Sequence, residues 1–307
     1  MRARDEEGIL DLPSQGACFG LEVRSHLRFE YLRPGSGRPV RVRDAVPGET
    51  LGAMERLQTW DEVPGVHGAV HLSRCGPAAF GIESGAYWFR YDAEETAFTL
   101  GPSDNPPFRE ALLWESPTAI AMVLGGDLAL HASSVEVDGG AILLSGPGKA
   151  GKTTLAAAFH ASGYRLLSDD MTGCRLAPHA VVLPGPALVR LRPDSAEQLG
   201  TGGLYTAWER ADRIYAAVEP DRRGSGDPLP LKRIVLLDAE SGPLSVSDVS
   251  PPEAVRDLWA MSFWLPTDGS RAACFEGLGK LLARVPVVRV RRPREWAALP
   301  EVVAFIA

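Results

Sequence analysis

Residues 146–153 read Gly146-Pro147-Gly148-Lys149-Ala150-Gly151-Lys152-Thr153. An apolar stretch with strand character, 141–144, leads into them, and an alanine-rich helical stretch, 154–160, leads out. The chemistry explains the residue types. Gly146, Gly148 and Gly151 let the backbone curl until successive N–H groups point inward at an anion. Lys152 adds a mobile positive charge, and Thr153 offers a hydroxyl to Mg²⁺. The start of the following helix contributes its own partial positive charge. A structural glycine turn would account for the glycines but not for the Lys-Thr pair. The stretch 146–153, with Thr154 behind it, is therefore expected to bind a nucleoside triphosphate through Gly146, Pro147, Gly148, Lys149, Ala150, Gly151, Lys152, Thr153 and Thr154. Lys149 is expected to project to solvent or to cover phosphate.

The 307 residues suffice for two domains, and 45% hydrophobic content can bury a core. With 32 basic and 39 acidic side chains the net charge is −7. This balance offers no basic stripe for a nucleic acid. The run Arg289, Arg291, Arg292, Arg294 is diluted by Val290 and Pro293 and reads as a solvated face. Cys18, Cys75, Cys174 and Cys274 are too scattered for a zinc site or a disulfide framework. No apolar run approaches a membrane span, and the polar start MRARDEEG lacks a signal-peptide core. No membrane partner and a cytoplasmic location are the expectation.

Short alternating segments at 17–23, 67–72, 78–82 and 87–91 predict a β-rich region, with one helix near 50–59. Residues 101–107, Gly-Pro-Ser-Asp-Asn-Pro-Pro, read as a linker, so a β-rich N-terminal domain (1–107) would precede a second domain (108–307). The second domain opens with a helical pattern at 108–124. A strand at 128–137, an Asp138-Gly139-Gly140 turn and a strand at 141–145 then predict a hairpin feeding the glycine-rich stretch. Further strands are expected at 164–168, 173–176, 188–191, 214–218, 233–237 and 285–290. Helices are expected from the Ser250-Pro-Pro-Glu253 capping box to 262, at 271–283 and at the C-terminus. The fold class is mixed α/β.

The segments Leu130-His131-Ala132-Ser133-Ser134, the Asp-Gly-Gly turn, residues 146–153 and Gly163-Tyr-Arg-Leu-Leu-Ser-Asp169-Asp170 together resemble the catalytic core of HPr kinase/phosphorylase. More narrowly the chain resembles the divergent HPr-kinase-like proteins, some of which phosphorylate lasso-peptide precursors. The likeness is strongest over 128–176 and looser beyond. Residues 16–100 do not look like the N-terminal domain of true HPr kinases, but they suit the β-rich segment of the divergent group.

The resemblance implies a P-loop kinase core related to phosphoenolpyruvate carboxykinase and dependent on ATP and Mg²⁺. It implies His131 at the active site, Asp170 as the base that receives the acceptor's proton, and Asp169 beside the metal with Thr153. A homo-oligomer is left open. Two carboxylates adjacent at a strand end would diverge, because strand side chains alternate faces. One can then meet the acceptor while the other meets the metal, and general-base help is worth roughly 10²–10⁴-fold. Ser133 and Ser134 read as structural. Where the family carries Leu-Glu-Val-Arg-Gly, this chain reads Ala187-Leu188-Val189-Arg190-Leu191. Leu188 thus replaces a metal-binding Glu linked to the reverse reaction, which implies a kinase without efficient phosphorylase activity. Arg190 and Arg213 are candidate phosphate contacts or, equally, ion-pair residues. The leading expectation is transfer of a γ-phosphate to a serine of a peptide or small protein. The alternatives are a small-molecule (amino acid or sugar) kinase and a nucleotide switch with little turnover.

Overall fold

The computed structural model describes residues 9, 11–61, 68–200, 202–210 and 212–307. The alternating segments before residue 101 build one eight-stranded sheet. Its strands are β1 (Ser14–Cys18), β2 (Leu21–Arg24), β3 (Arg38–Asp44), β4 (Glu55–Trp60), β5 (Val70–Arg74), β6 (Ala79–Ser84), β7 (Tyr87–Asp92) and β8 (Ala97–Leu100), in the order β1-β2-β3-β8-β7-β6-β5-β4. The expected single strand at 17–23 is instead a hairpin. Phe19 (φ 50°) and Gly20 (φ 71°) turn the chain so that Cys18 faces Leu21. The expected strand at 67–72 is β5; its first residue, His67, lies outside the described residues.

The helix expected near 50–59 is strand β4. Its helix-forming residues are overruled by antiparallel pairing with β5, from Glu55 opposite Arg74 to Trp60 opposite Val70. The prolines of 101–107 also act differently from expectation. Pro106 and Pro107 occupy the first turn of helix α1 (Pro106–Leu113), where a missing N–H costs nothing, and Asn105 caps it by accepting from the Phe108 N–H at 3.1 Å. The helical pattern at 108–124 divides into α1 and α2 (Ser116–Leu124), with Pro117 in the first turn of α2.

From residue 128 the chain weaves a ten-stranded mixed sheet and a small three-stranded one. β9 (Leu128–Leu130), β10 (Ala132–Val137) and β11 (Gly140–Ser145) lead to helix α3 (Lys152–Ala161). Then follow β12 (Arg165–Ser168), β13 (Thr172–Arg175), β14 (Val181–Leu183), β15 (Leu188–Leu191), α4 (Pro193–Leu199), β16 (Leu204–Arg210), β17 (Arg213–Val218), β18 (Leu229–Ser241) and β19 (Ser245–Asp248). α5 (Pro251–Ala260), β20 (Ser262–Phe263), α6 (Asp268–Leu282), β21 (Val287–Arg292) and α7 (Leu299–Ile306) finish it. The large sheet runs β12-β10-β11-β18-β14-β13-β9-β20, with β21 on β18 and β19 on β21; the small sheet runs β15-β17-β16.

The predicted hairpin forms, with Ala132 opposite Ser145 and Val137 opposite Gly140. The strand expected over 128–137 is broken at His131. There the chain leaves its pairing with β13 and β20 and joins β11, while the His131 N–H donates to the Met261 carbonyl at 2.6 Å.

Strand directions then dictate which ends meet. β10 is antiparallel to both β11 and β12, whereas β18 is parallel to β11 and β21 is parallel to β18. The start of β10 and the ends of β11, β12, β18 and β21 therefore lie along one edge of the sheet.

A hydrophobic cluster runs from the first sheet (Phe19, Val40, Leu72, Phe98) through α1 and α2 (Leu113, Ile120) to Ala129, Leu183 and Leu265. A second cluster packs α3 and α7 against β10, β11 and β18. Cys18, Cys174 and Cys274 are buried, and all four cysteines are unpaired. Among the described residues no helix is long and apolar enough to cross a membrane.

Candidate functional site

The loop 146–151 springs from the end of β11. Gly146 (φ 141°) and Gly151 (φ 88°) hold backbone angles that side chains resist, and a Cβ on Gly146 would lie 2.6 Å from the Leu237 carbonyl. A Cβ on Gly151 would strike the Arg292 guanidinium. Pro147, Gly148 and Lys149 are exposed at the loop tip, with Lys149 at φ 66°, while Ala150 is buried. Lys152 is buried and bonds back to the loop, Nζ lying 2.8 Å from the Gly146 carbonyl and 3.2 Å from that of Pro147. Burial lowers its pKa, against the pull of Asp170 and Asp169. No side chain caps the start of α3, so its first N–H groups are not claimed by a capping residue. Thr154 turns away, its hydroxyl 3.2 Å from that of Ser195 on α4. The Ser145 hydroxyl at the foot of the loop is buried without a partner among the described residues.

Asp169 and Asp170 follow the end of β12. They do diverge, but not by strand alternation. The strand stops at Ser168, and Met171 N–H donates to the Asp169 carbonyl at 2.7 Å, closing a three-residue turn with Asp170 at φ 62°. Aspartate tolerates that conformation better than most side chains, though still at a cost of about 1 kcal/mol. Beneath the turn, Ser134, Ser168 and Thr172 form a hydroxyl chain (2.6 and 2.8 Å) that ends on the Ala132 carbonyl at 3.1 Å.

The two carboxylates occupy different surroundings. Asp169 is buried; it accepts from the Ser133 hydroxyl at 2.7 Å and the Arg190 N–H at 3.1 Å. Burial, then the charge of Asp170, pushes it above the usual carboxylate range, and the Ser133 and Thr153 hydroxyls and the Arg190 N–H pull the other way. Thr153 thus stands beside Asp169. Ser133 therefore orients Asp169, a role its sequence context did not disclose.

Asp170 is about a third exposed (32%). Burial alone would raise its pKa. Arg190, followed by His131, Lys152 and Arg213, overcomes that and holds it below the ordinary value. Arg190 grips Asp170 with one guanidinium nitrogen and Glu115 with another, at 2.8 Å. Burial pushes Glu115 above the usual range, against the pull of Arg190. His131 Nδ1 lies 2.8 Å from the Asp170 carbonyl and 3.6 Å from its carboxylate. A carbonyl only accepts, so the proton of this bond sits on Nδ1. Arg213 bonds Asp212 at 2.8 Å and reaches Asp170 through its field alone. Leu188 is buried in an apolar cluster with Tyr31, Ala111, Tyr215 and Ala217, so no carboxylate stands at that position.

The arginine run is a solvated face at Arg291 and Arg294, which are exposed, but not at Arg292. Arg289 pairs with Asp257 at 2.8 Å, Arg291 with Asp238 at 3.1 Å, and Arg294 donates to the Ala239 carbonyl. Arg292 is buried, and its guanidinium donates to the Ala150 carbonyl at 3.1 Å, inside the glycine-rich loop. The parallel register of β21 on β18 carries this residue to the loop, and no local pattern announces it.

Asp170, His131, Arg190 and Glu115 open onto a cavity of about 540 Å³, which Lys152 and Thr153 do not line. Lys152 of the glycine-rich loop thus lies near enough to both aspartates to feel their charge, and Asp170 also lines the cavity. The arrangement is a glycine-rich loop at a helix start, a carboxylate whose pKa is held low, and a cavity beside it.

No family model matches the chain, and no curated protein matches it. Among solved structures, the chain is similar to the Hpr(Ser) kinase/phosphatase from Coxiella burnetii, with 10% identity over 58% of this chain and 93% of that one and a TM-score of 0.32.

Proposed function

We propose that this chain is an ATP- and Mg²⁺-dependent phosphotransferase that passes the γ-phosphate to a serine hydroxyl of a peptide or small protein. The observation that carries the reading is the position of Asp170. It feels the charge of Lys152 on the loop side and lines the cavity on the other.

The residues present fit the nucleotide and its metal. The uncapped start of α3 and the curled loop offer N–H groups to phosphate, and Lys152 can exchange its two loop carbonyls for phosphate oxygens. Thr153 and Asp169 would hold Mg²⁺. Among the described residues no group of three or more His, Cys, Asp or Glu side chains could hold a metal by itself, which suits a magnesium that shares phosphate oxygens. Held by Thr153 and Asp169, such an ion would supply neutralisation of the phosphate charge.

The chain's own residues do the rest. Asp170 stays ionised because Arg190 and His131 flank it, and it accepts the proton of the acceptor hydroxyl as that oxygen bonds to phosphorus and ADP departs. Arg190 fixes the carboxylate's orientation from the Glu115 side. With Leu188 in an apolar cluster, the carboxylate linked to the reverse reaction is missing, so transfer runs in the kinase direction.

Incubation with [γ-³²P]ATP, Mg²⁺ and serine-bearing peptides tests this. Asp170→Asn is expected to slow transfer by about 10²–10⁴-fold; an unchanged rate would remove Asp170 from the mechanism. A small-molecule kinase is the second reading, favoured by the compact size of the cavity. It predicts labelled metabolite and no labelled peptide. A nucleotide switch, favoured by Leu188, predicts ATP binding with no acceptor labelled at all.

A further inference from the structure

The cavity beside Asp170 has a composition that narrows what can occupy it. At about 540 Å³ it lies within the size range of small-ligand sites, roughly 300–1,000 Å³. Its titratable lining residues are Glu115, His131, Asp170 and Arg190, and these form one connected chain through Arg190 and His131. Arg190 already serves two carboxylates, so no cation stands ready for an anionic head group. The other walls are mainly apolar.

One wall is the face of the N-terminal sheet, where Trp60, Ile82 and Phe89 come from β4, β6 and β7. A second wall is formed by the end of α5 and the segment leading from it to α6. There Trp259 and Trp264 stack at 5.5 Å with 23° between their planes, and Met261 and Phe263 lie between them in sequence. Trp60 and Trp264 are half-buried, so each keeps a surface to offer. A cavity lined by aromatic side chains from both walls gains most from an uncharged aromatic or branched aliphatic group. On these walls only the neutral side chains of Gln58, Ser84 and Ser262 are polar, too few to replace the lost hydration of a phosphorylated sugar or a free zwitterion.

We propose that this cavity is the acceptor subsite, and that it selects an acceptor carrying an uncharged aromatic or branched aliphatic group next to the hydroxyl presented to Asp170. The inference rests on the reading of Asp170 as the group that receives the acceptor's proton. The N-terminal sheet then supplies one of the walls that set specificity. A peptide with an apolar residue flanking its serine and a free arylalkyl alcohol share this chemistry.

The test uses the full chain without nucleotide, in isothermal titration calorimetry. The probes are acetyl-Gly-Ser-Gly-amide, acetyl-Leu-Ser-Trp-amide and 2-phenylethanol. Burial of one aromatic side chain predicts that the Leu-Ser-Trp probe binds about ten- to a hundred-fold more tightly than the Gly-Ser-Gly probe. Trp60→Ala and Trp264→Ala, on different walls and both half-buried, should each remove most of that advantage. Displacement of the peptide by 2-phenylethanol would mark the side group itself as what is recognised. A peptide it cannot displace would mark the peptide as the source of that group.

Equal affinity for the two peptides, no binding of either, or an advantage that survives both substitutions would each overturn the proposal. Failure of the kinase reading looks different: the Leu-Ser-Trp probe would bind with the expected preference, yet [γ-³²P]ATP would leave it unlabelled.

Discussion

At Arg190 a single guanidinium holds two carboxylates of unlike character, Asp170 kept low and Glu115 pushed up. If Asp170 must be ionised to accept a proton, kcat/KM falls as pH drops through its pKa, which Arg190 depresses. Arg190→Gln leaves the effect of burial opposed only by His131, Lys152 and Arg213. The acid limb of the pH profile should therefore move to higher pH, with activity recovered in part on the alkaline side. Kinetics across pH 5–8 would show this; an unmoved limb would mean that Arg190 does not set the protonation of Asp170. The residue types of this site were legible in the sequence because glycine, lysine, threonine and paired aspartates have few reasons to occur together. Glu115 was not, since a lone glutamate between two helices resembles any other.

At the scale of elements, the parallel pairing of β21 with β18 brings Arg292 under the loop. Its bond to the Ala150 carbonyl is charge-assisted and buried, worth about 1.5–3 kcal/mol. Arg292→Met should therefore raise KM for ATP about tenfold or more, while leaving affinity for a peptide acceptor near its original value. A parallel rise in both constants would place Arg292 in general stability rather than in loop shape. The hairpin at Asp138-Gly139 was readable because two residues there must turn left-handed, and Asp138 (φ 49°) and Gly139 (φ 70°) do so. Strand β4 was not readable. Glu55-Arg-Leu-Gln-Thr-Trp60 carries helix-forming residues, and only its partner β5 makes it a strand.

Across the whole molecule, Arg33 ties the N-terminal part to the strand that leads into the aspartates. It is 1% exposed, and its guanidinium donates to the carbonyls of Leu166 (2.9 Å), Leu167 (3.3 Å), Gly185 (2.8 Å) and Arg223. Burial, and then the nearby charge of Arg165, lowers its pKa to about 9. Arg33→Met would orphan these buried acceptors, at a cost on the order of 3 kcal/mol. A lower urea midpoint is the expected result, and a midpoint equal to the wild type would show that water replaces the guanidinium freely.

The same residue marks the boundary between what is local and what is not. By itself the sequence determined the glycine-rich turn into a helix, the hairpin before it and the mixed α/β class, because these depend on backbone angles and periodicities confined to a few neighbouring residues. The tertiary structure alone decided that Ser133 would steady Asp169, that Arg190 would join Asp170 to Glu115, that Arg292 would support the loop, and that two aromatic walls would enclose one cavity. Those arrangements depend on strand order and register between segments far apart in the chain, and such pairings leave no period in the sequence.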